Sequence, residues 1–299
     1  MKGAIGIDIG GTKIAFGAVT ADGRIVAQRT IATQPDDSFD AGFARLIQGI
    51  EHLLADAGWQ PGDFGGIGVG CPGPVDIARG IIKNVHTLPG WSNQQFAAPL
   101  SARFNTPVRM ENDANAALLG EALAGAARGR KSAVMLTIGT GIGGAVLLDG
   151  RIYHGAGGAH PEIGHIAVQP NGPECYCGRQ GCFKVIAAGP AIAAAGAKIG
   201  LNGSEAVFTA AAQGEPRAAA IIDAVTAATE TAVWSLLHSY LPELILFGGG
   251  IVDSHWPLFE AAAQKSLAAA VFARDEGVSI ARATLGNDAG MVGAASLVL

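Results

Sequence analysis

The sequence has few charged residues and few cysteines, and each scarcity excludes a class of protein. Charged residues make up 15% of the 299 positions with a formal balance of -5, so no basic surface for a nucleic-acid backbone is expected. Four cysteines are too few for a disulfide scaffold. No apolar run has the length of a membrane span, and the N-terminus lacks a signal-peptide pattern. We therefore expect a cytoplasmic protein without nucleic-acid or membrane partners.

Hydrophobic residues are plentiful, at 49% of the chain, which allows a large core and argues against disorder. Strand-like and helix-like patterns alternate, which indicates an α/β protein. A strand, glycine turn and strand near the N-terminus recur at 133–152, and both copies lead to Asp-Gly-Arg-Ile. This recurrence predicts two related lobes. Further predicted elements are helices at 40–57, 187–198 and 218–240, strands at 66–70, 107–111 and 243–247, and a C-terminal helix from near Asp288.

Three glycine-rich turns carry a signal for phosphate binding. Glycine lets backbone N–H groups approach an anion closely, and threonine adds a hydroxyl donor. Lys13 would add positive charge, and Asp8 would orient Mg²⁺ or its water ligands. Each turn taken alone also suits an ordinary hairpin, and none has the P-loop spacing. The candidate nucleotide-binding residues are Asp8, Gly10, Gly11, Thr12, Lys13, Thr140, Gly141, Gly248 and Gly249.

A strand-to-helix junction offers a proton acceptor. Asp113 follows an apolar strand and precedes an alanine-rich helix, a position that can project a carboxylate into a cleft. Phosphoryl transfer to an alcohol needs an oriented hydroxyl, a proton acceptor and neutralisation of the phosphate charge. The alternative is that Asn112 or Asp113 only caps the helix; the surrounding motifs favour catalysis.

Three of the four cysteines lie within eight positions and suggest a metal site. Cys175, Cys177 and Cys182, with His165 ten residues upstream, form a Cys₃His set that suits tetrahedral Zn²⁺. Four protein ligands leave no open position, so the metal would be structural. His160 is the competing histidine.

In this order along the chain, the motifs resemble the ROK family (repressors, open reading frames, kinases) of the actin/hexokinase-like superfamily. The matching segments are Asp8–Lys13, Glu111–Asn115, Gly139–Gly144, Glu162–His165 and the cysteine cluster, and the similarity extends from Gly6 to Gly293. The resemblance implies a two-lobed actin-like (ribonuclease H-like) α/β fold, an interlobe cleft that closes over sugar and ATP, and a homodimer or homotetramer. The expected lobes are residues 1–114 and a larger one at 115–287 with the zinc loop. A helix at about 288–299 would pack on the first lobe.

The resemblance also implies roles for individual residues. Asp113 would be the base in ATP- and Mg²⁺-dependent phosphorylation of a sugar or polyol hydroxyl, and Asn112 would bind the sugar. His165 would link the zinc to the sugar pocket, which favours it over His160 as the fourth ligand. Trp91, in a loop that resembles the family's sugar-side loop, suits either stacking on a sugar or a core role. The expected acceptor site comprises Gly73, Asn112, Asp113, Glu162, His165 and Lys184.

Three departures from the family pattern touch the acceptor site. Lys184 stands where the family has a glutamate, His160-Pro161 replaces Ala-Gly, and Thr87 replaces an asparagine. Lysine donates hydrogen bonds and cannot accept them. We therefore predict a non-standard acceptor such as a keto-sugar, an inosose or other cyclic polyol, or an acidic sugar.

Other functions remain open at this point. If Lys184 pairs with Glu162, an ordinary hexose kinase is the alternative: a glucokinase, fructokinase or N-acetylhexosamine kinase. A non-catalytic sugar sensor is a more distant alternative. A repressor is disfavoured, because Asp8 lies too near the start for a preceding helix-turn-helix. The exact acceptor, the hydroxyl phosphorylated, the donor (ATP or polyphosphate) and the oligomer size do not follow from the sequence.

Overall fold

The computed structural model describes all 299 residues. Its strands are β1 Gly3–Ile9, β2 Lys13–Val19, β3 Ile25–Ala32, β4 Phe64–Cys71, β5 Val75–Asp76, β6 Ile81–Ile82, β7 Gln94–Gln95, β8 Val108–Asn112, β9 Ala133–Ile138, β10 Ile142–Leu148, β11 Arg151–Ile152, β12 Leu244–Gly248 and β13 Ser279–Arg282. Its helices are α1 Phe39–Ala57, α2 Ala97–Phe104, α3 Asp113–Ala124, α4 Lys184–Ala187, α5 Gly189–Ala197, α6 Ser204–Ala212, α7 Pro216–Tyr240, α8 Gly250–Ala269 and α9 Ala289–Ser296.

The chain divides into two compact units. The first unit comprises Met1–Gly129, Ile152–Pro161 and Thr284–Leu299, and the second unit comprises Arg130–Arg151 and Glu162–Ala283. The first unit thus contains all of α3, whereas the predicted lobe boundary falls after residue 114. It also contains the short segment Ile152–Pro161, which the predicted boundaries place in the other lobe.

The first unit is built on a five-stranded sheet with the order β3-β2-β1-β4-β8. β1 pairs antiparallel with β2 and parallel with β4. Alternate residues of β1 face opposite sides of the sheet: the side of Ile5 and Ile7 belongs to a core that includes α1, and the side of Gly6 faces α9. A methyl at Gly6 would lie 1.9 Å from the Met291 carbonyl oxygen, so glycine permits this close helix–sheet contact. Asp8 shares that face.

The second unit has a sheet with the equivalent order, β11-β10-β9-β12-β13. Again an antiparallel hairpin adjoins parallel strands, because β9 pairs antiparallel with β10 and parallel with β12. The equivalent strand order agrees with the predicted internal repeat.

Helix α7 of the second unit has the length and apolarity of a membrane-spanning helix. Several of its side chains, including Val225, Val233 and Leu237, are buried in the core of this unit. A core helix passes the same test of length and composition, so α7 is weak evidence for a membrane span.

The predicted helix at 187–198 is wrong in one respect. The chain is extended at Ala188 (φ -74°, ψ 151°), which separates α4 from α5. Pro190 lies in the first turn of α5, where its missing N–H costs nothing, whereas inside a continuous helix it would break the hydrogen-bond ladder.

Candidate functional site

The first glycine turn joins β1 to β2 and is held by hydrogen bonds within the turn and from Thr33. The Gly10 N–H donates to the Lys13 carbonyl (2.9 Å), and the Thr33 hydroxyl donates to the Gly10 carbonyl (2.6 Å). The Thr33 N–H donates to the Thr12 carbonyl (3.1 Å), and Thr33 is fully buried. Thr12 and Lys13 are exposed to solvent, as a phosphate-binding turn requires. Thr33 was missed in the sequence because it follows β3, some twenty residues away.

Asp8 occupies the end of β1 beside this turn. A methyl at Gly290 of α9 would lie 2.7 Å from Asp8 Oδ2, so only glycine leaves room for the carboxylate at this point. The pKa of Asp8 is raised from 3.8 to about 6, chiefly by burial and then by the charge of Asp113, while Lys13 acts in the opposite direction. Burying an ionised carboxylate is unfavourable, and a bound cation would offset this unfavourable energy, so Asp8 suits a cation site.

At the β8–α3 junction, helix capping falls on Asn112 and the predicted proton acceptor is the next residue, Asp113. Asn112 is the N-cap of α3, and its Oδ1 accepts hydrogen bonds from the N–H groups of Ala114 and Asn115. Its Nδ2 donates to Asp113 Oδ1 (2.9 Å). The N-cap alternative is thus correct for Asn112, and it leaves Asp113 oriented as the first residue of the helix.

The Asp113 carboxyl group is accessible to solvent at its surface but crowded by protein atoms. This crowding raises its pKa, while the Ala114 N–H, the His160 ring and the Asn112 amide lower it. Oδ1 accepts hydrogen bonds from the Ala114 N–H and the Asn112 amide, both at 2.9 Å. These two hydrogen bonds fix the orientation of the carboxylate.

Glu111 belongs to the candidate site, although no role was predicted for it from the sequence. It is 3% exposed, and its Oε1 accepts from the Asn112 N–H (2.8 Å) and Asn115 Nδ2 (2.9 Å). Its Oε2 lies 2.8 Å from His154 Nε2. Glu111 thereby fixes the turn that presents Asn112 and Asp113. The signal for Glu111 in the sequence was its position at the start of the motif Glu111–Asn115.

Gly73 is placed next to this junction by Asn84. The Asn84 Nδ2 donates to the Gly73 carbonyl (2.6 Å), and its Oδ1 accepts from the Thr87 N–H (2.6 Å). Trp91 is fully buried in the core of the first unit, so its core role is confirmed.

In the second unit, the β9–β10 turn is open where a phosphate would approach. The Gly139 N–H donates to the Gly141 carbonyl (2.9 Å), and methyl groups at Gly139 or Gly141 would meet no atom within 4 Å. Neither glycine has positive φ. Neither packing nor backbone conformation requires glycine here, and the turn leaves room for the close approach of a ligand.

Two helix N-termini adjoin this turn. The Gly189 N–H at the start of α5 donates to the Gly139 carbonyl (2.8 Å). Gly249, the N-cap of α8, has φ +95°, and a methyl there would lie 2.5 Å from the Ile138 carbonyl oxygen. Gly248 ends β12 directly before it. Helix N-termini favour anions, so Thr140, Gly141, Gly248 and Gly249 form a coherent candidate for the nucleotide.

The segment that carries Glu162 and His165 is packed against β10 of the same hairpin. Ile163 contacts Gly144, where a methyl would lie 2.6 Å from Ile163 Cδ1, and Gly164 contacts the Ile142 carbonyl. His165 Nε2 lies 4.0 Å from Glu162 Oε2. The Glu-x-Gly-His motif therefore owes its glycine to this packing.

The four predicted metal ligands converge. The ligand atoms of His165, Cys175, Cys177 and Cys182 all lie within 4.8 Å of one another, with His165 Nδ1 3.4 Å from Cys175 Sγ and Cys177 Sγ 3.5 Å from Cys182 Sγ. Zinc at about 2.3 Å from each sulfur would separate tetrahedral sulfurs by about 3.8 Å. The donor set and its dimensions fit Zn²⁺, and these four residues would hold it.

The protonation of this cluster also suits a cation. The Arg179 N–H hydrogen bond lowers the pKa of Cys177, whereas burial raises the pKa of Cys182 to about 12. Burial and the nearby Lys184 lower the pKa of His165, which favours the neutral ring that can donate a lone pair. Metal binding requires deprotonated ligands, and a divalent ion would replace the proton of the buried thiol.

Lys184 has a partner that the sequence did not suggest. Its Nζ donates to the Tyr176 hydroxyl (2.8 Å) and lies 4.5 Å from the centre of the Tyr176 ring. The same hydroxyl lies 3.2 Å from His165 Nε2. Tyr176, between two of the cysteines, thus joins Lys184 to the metal cluster.

The predicted site residues form groups within each unit. The first unit gathers the β1–β2 turn, Asp8, Gly73, Asn112 and Asp113; the second gathers the β9–β10 turn with Gly248 and Gly249, and separately Glu162, His165 and Lys184 with the cysteines. The strand order and the glycine hairpins define the actin-like class of α/β folds, as predicted from the sequence.

Comparisons with known proteins agree. The family model described as "ROK family" matches residues 4–299. A glucokinase of Thermotoga maritima is 34% identical, with 98% of this chain and 96% of the relative covered. The structure of a ROK hexokinase from Thermus thermophilus is 32% identical with a TM-score of 0.86, covering 99% of this chain and 97% of that one. A ROK glucokinase from Streptomyces griseus, in complex with glucose and AMPPNP, is 29% identical with a TM-score of 0.76, covering 99% and 98%. The chain belongs to the ROK family.

Proposed function

We propose that the protein is an ATP-dependent hexose kinase in which Asp113 accepts the proton of the sugar hydroxyl. The observation that carries this proposal is the Asp113 carboxylate itself. Its Oδ1 is fixed by the Asn112 amide and the Ala114 N–H, and its raised pKa makes it a stronger base than an ordinary aspartate. The names of the relatives, which are glucokinases and a hexokinase, support the same reaction.

The remaining residues would bind and neutralise the phosphates. The backbone N–H groups of Gly10, Gly11 and Gly141, with the hydroxyls of Thr12 and Thr140, would contact the phosphate oxygens. Lys13 would add positive charge, and Asp8 would orient Mg²⁺. Gly248 and Gly249 would line the adenosine side. Such contacts lower the barrier to transfer by positioning and charge neutralisation.

The acceptor would be an ordinary hexose bound by Gly73, Asn112, Asp113, Glu162 and His165. This choice follows the relatives and the contact of Lys184 with Tyr176, which is not the Glu162 pairing considered from the sequence. An ammonium that already donates to Tyr176 has less need of a substrate oxygen. Zn²⁺, when bound to His165 and the three cysteines, would fix the orientation of the His165 ring toward the sugar.

A non-standard acceptor remains the second candidate. Lys184 replaces the glutamate that the family pattern leads one to expect, and it supplies donors where an acceptor would be usual. A keto-sugar, an inosose or an acidic sugar would use them. The Tyr176 hydroxyl would then share its hydrogen bond with the substrate.

An acceptor screen tests both candidates. Purified enzyme, ATP and Mg²⁺ are combined with glucose, mannose, fructose, N-acetylhexosamines, inositols, inososes and hexuronates, and ADP formation is followed. We expect the largest kcat/KM for a hexose; a keto- or acid-selective enzyme would favour the second candidate. Polyphosphate in place of ATP tests the donor.

Asp113→Asn tests the base. We expect kcat to fall by about 10³-fold, as for loss of a general base, while binding of the sugar persists. Asp56→Asn, an exposed partner of Arg29, serves as the matched control with unchanged kcat. Full activity of Asp113→Asn would reject the assignment.

Membership of the ROK family also leads us to propose that the protein is a cytoplasmic homodimer or homotetramer. Light scattering measures the oligomer size.

A further inference from the structure

The segment Ile152–Pro161 belongs to the first unit and is attached to the β8–α3 junction near its beginning. His154 Nε2 lies 2.8 Å from Glu111 Oε2, and Glu111 is almost fully buried. The sequence between these attachment points contains three glycines and would not by itself hold a fixed path. The Glu111–His154 pair therefore anchors the segment beside the proposed base.

The end of the same segment places a second histidine on Gly73. A methyl at Gly73 would lie 2.4 Å from His160 Cε1 and 3.2 Å from His160 Nδ1, so the imidazole packs directly on the Gly73 backbone. Pro161 restricts the preceding residue to extended conformations, which limits the directions the ring can take. Any side chain at position 73 would displace this ring.

The side of Gly73 that faces His160 also lies close to the Asn112 side-chain amide, which orients the Asp113 carboxylate. A methyl at Gly73 would lie 3.3 Å from Asn112 Nδ2, and Asn112 Nδ2 donates to Asp113 Oδ1 (2.9 Å). The His160 ring, the Asn112 amide and the Asp113 carboxylate are thus consecutive neighbours around one glycine. His160 is close enough for its charge to act on Asp113.

The surrounding charges favour a cation at this place. The acidic groups of the neighbourhood are Asp8 on β1, Glu111 on β8 and Asp113 on α3, and all three act on the buried Cys71 thiol of β4. The basic groups are Lys13 on β2, which acts on Asp8, and His154, which is paired with Glu111. Of these groups, Asp113 interacts through its charge with His160, and an ionised Asp113 stabilises a protonated imidazole at position 160.

We propose that His160 is a positioning residue for the base: its imidazole, seated on Gly73, supplies a positive charge that keeps the Asp113 carboxylate ionised and aligned in mildly acidic solution. This inference rests on the proposed function, because it assigns Asp113 as the base. An imidazole loses its proton as the solution becomes alkaline, where a carboxyl group is ionised without such help. His160 therefore extends the active range of the kinase toward low pH.

The interaction between His160 and Asp113 is tested first, without any assay of activity. NMR titration of the His160 ring in the full-length protein, assigned by its loss in His160→Gln, gives its pKa in wild type and in Asp113→Asn. Removing an opposite charge at this range is expected to lower the His160 pKa by about 1. His52, an exposed histidine of α1, is the internal control and should titrate identically in both proteins. A His160 pKa that does not respond to Asp113→Asn overturns the proposal.

The second test is the pH profile of kcat/KM with the best acceptor from the screen. His160→Gln is expected to move the acid-side inflection upward by about 0.5 to 1 pH unit, with rates that approach wild type above pH 8. His52→Gln should leave the profile unchanged. A parallel, uniformly lower profile in His160→Gln would mean a purely structural role and would also overturn the proposal. Absence of sugar-dependent ADP formation in wild type would instead refute the proposed function, while the titration still tests the pairing.

Discussion

Asp8→Asn should stabilise the protein while it impairs catalysis. The pKa of Asp8 rises from its ordinary value of 3.8 to about 6 in the folded state, chiefly through burial and then through the charge of Asp113. The folded protein therefore holds this proton more tightly than the unfolded chain does. Stability consequently decreases as the pH rises from about 4 to about 6, and the full cost is present above that window.

The magnitude follows from the same two values. One pKa unit corresponds to about 1.4 kcal/mol, so a rise from 3.8 to about 6 corresponds to at most about 3 kcal/mol at neutral pH. The isosteric amide removes this cost. We expect Asp8→Asn to be about 2 kcal/mol more stable than wild type at pH 7.5 and equally stable below pH 4. Such a cost is typical where function requires a buried charge.

Urea unfolding at pH 4, 6 and 7.5, without Mg²⁺ and nucleotide, measures the difference. Asp22→Asn is the matched control: its pKa is lowered by the Thr20 hydroxyl, so it should show no stabilisation at neutral pH. The same Asp8→Asn protein should lose most of its kinase activity, since it lacks the carboxylate proposed to orient Mg²⁺. Equal stability at pH 7.5, or a gain that is independent of pH, would refute the reasoning.

Four substitutions elsewhere have distinct expected outcomes. Glu121→Ala should cost about 3 kcal/mol in urea unfolding, because the buried Glu121 carboxylate accepts backbone hydrogen bonds from Ala126, Thr284 and Leu285; a cost below about 1 kcal/mol would contradict its anchoring role. Cys182→Ser should abolish one equivalent of bound zinc by metal analysis and lower the melting temperature; unchanged zinc content would reject the cluster. Gly249→Ala should raise the KM for ATP at least tenfold, because φ is +95° and the Ile138 carbonyl blocks the methyl; an unchanged KM would remove Gly249 from the site. Lys184→Glu should raise kcat/KM for glucose about tenfold, the value of one hydrogen bond to a charged group, whereas a fall would support the second acceptor candidate.

Local patterns in the sequence were sufficient for much of the fold and for the chemistry-bearing positions. The recurring strand–glycine–strand pattern predicted two related lobes, and the two sheets have equivalent strand orders. The spacing of the cysteines predicted a cluster whose ligand atoms do converge. These features depend on residues close together in the chain. Glycine turns and cysteine knuckles are local because their geometry is set by a few consecutive backbone angles.

Long-range partners could not be predicted in the same way. Thr33, which supports the first glycine turn, and His154, which pairs with Glu111, have no local pattern that marks them. Tyr176 is a further example, since the side chain that meets Lys184 depends on the path of the whole cysteine loop. The break at Ala188 could have been found from Pro190, because a proline is best accommodated in the first turn of a helix and kinks or breaks the helix elsewhere.

A crystal structure with AMPPNP, Mg²⁺ and the best acceptor sugar would examine the proposed chemistry most closely. We expect one sugar hydroxyl oxygen within about 3.2 Å of an Asp113 carboxylate oxygen, the range required for direct proton transfer, and on the line of attack toward the terminal phosphorus. A sugar bound with every hydroxyl beyond about 5 Å from Asp113, too far for transfer even through a favourably placed hydrogen bond, would contradict the assignment of Asp113 as the base.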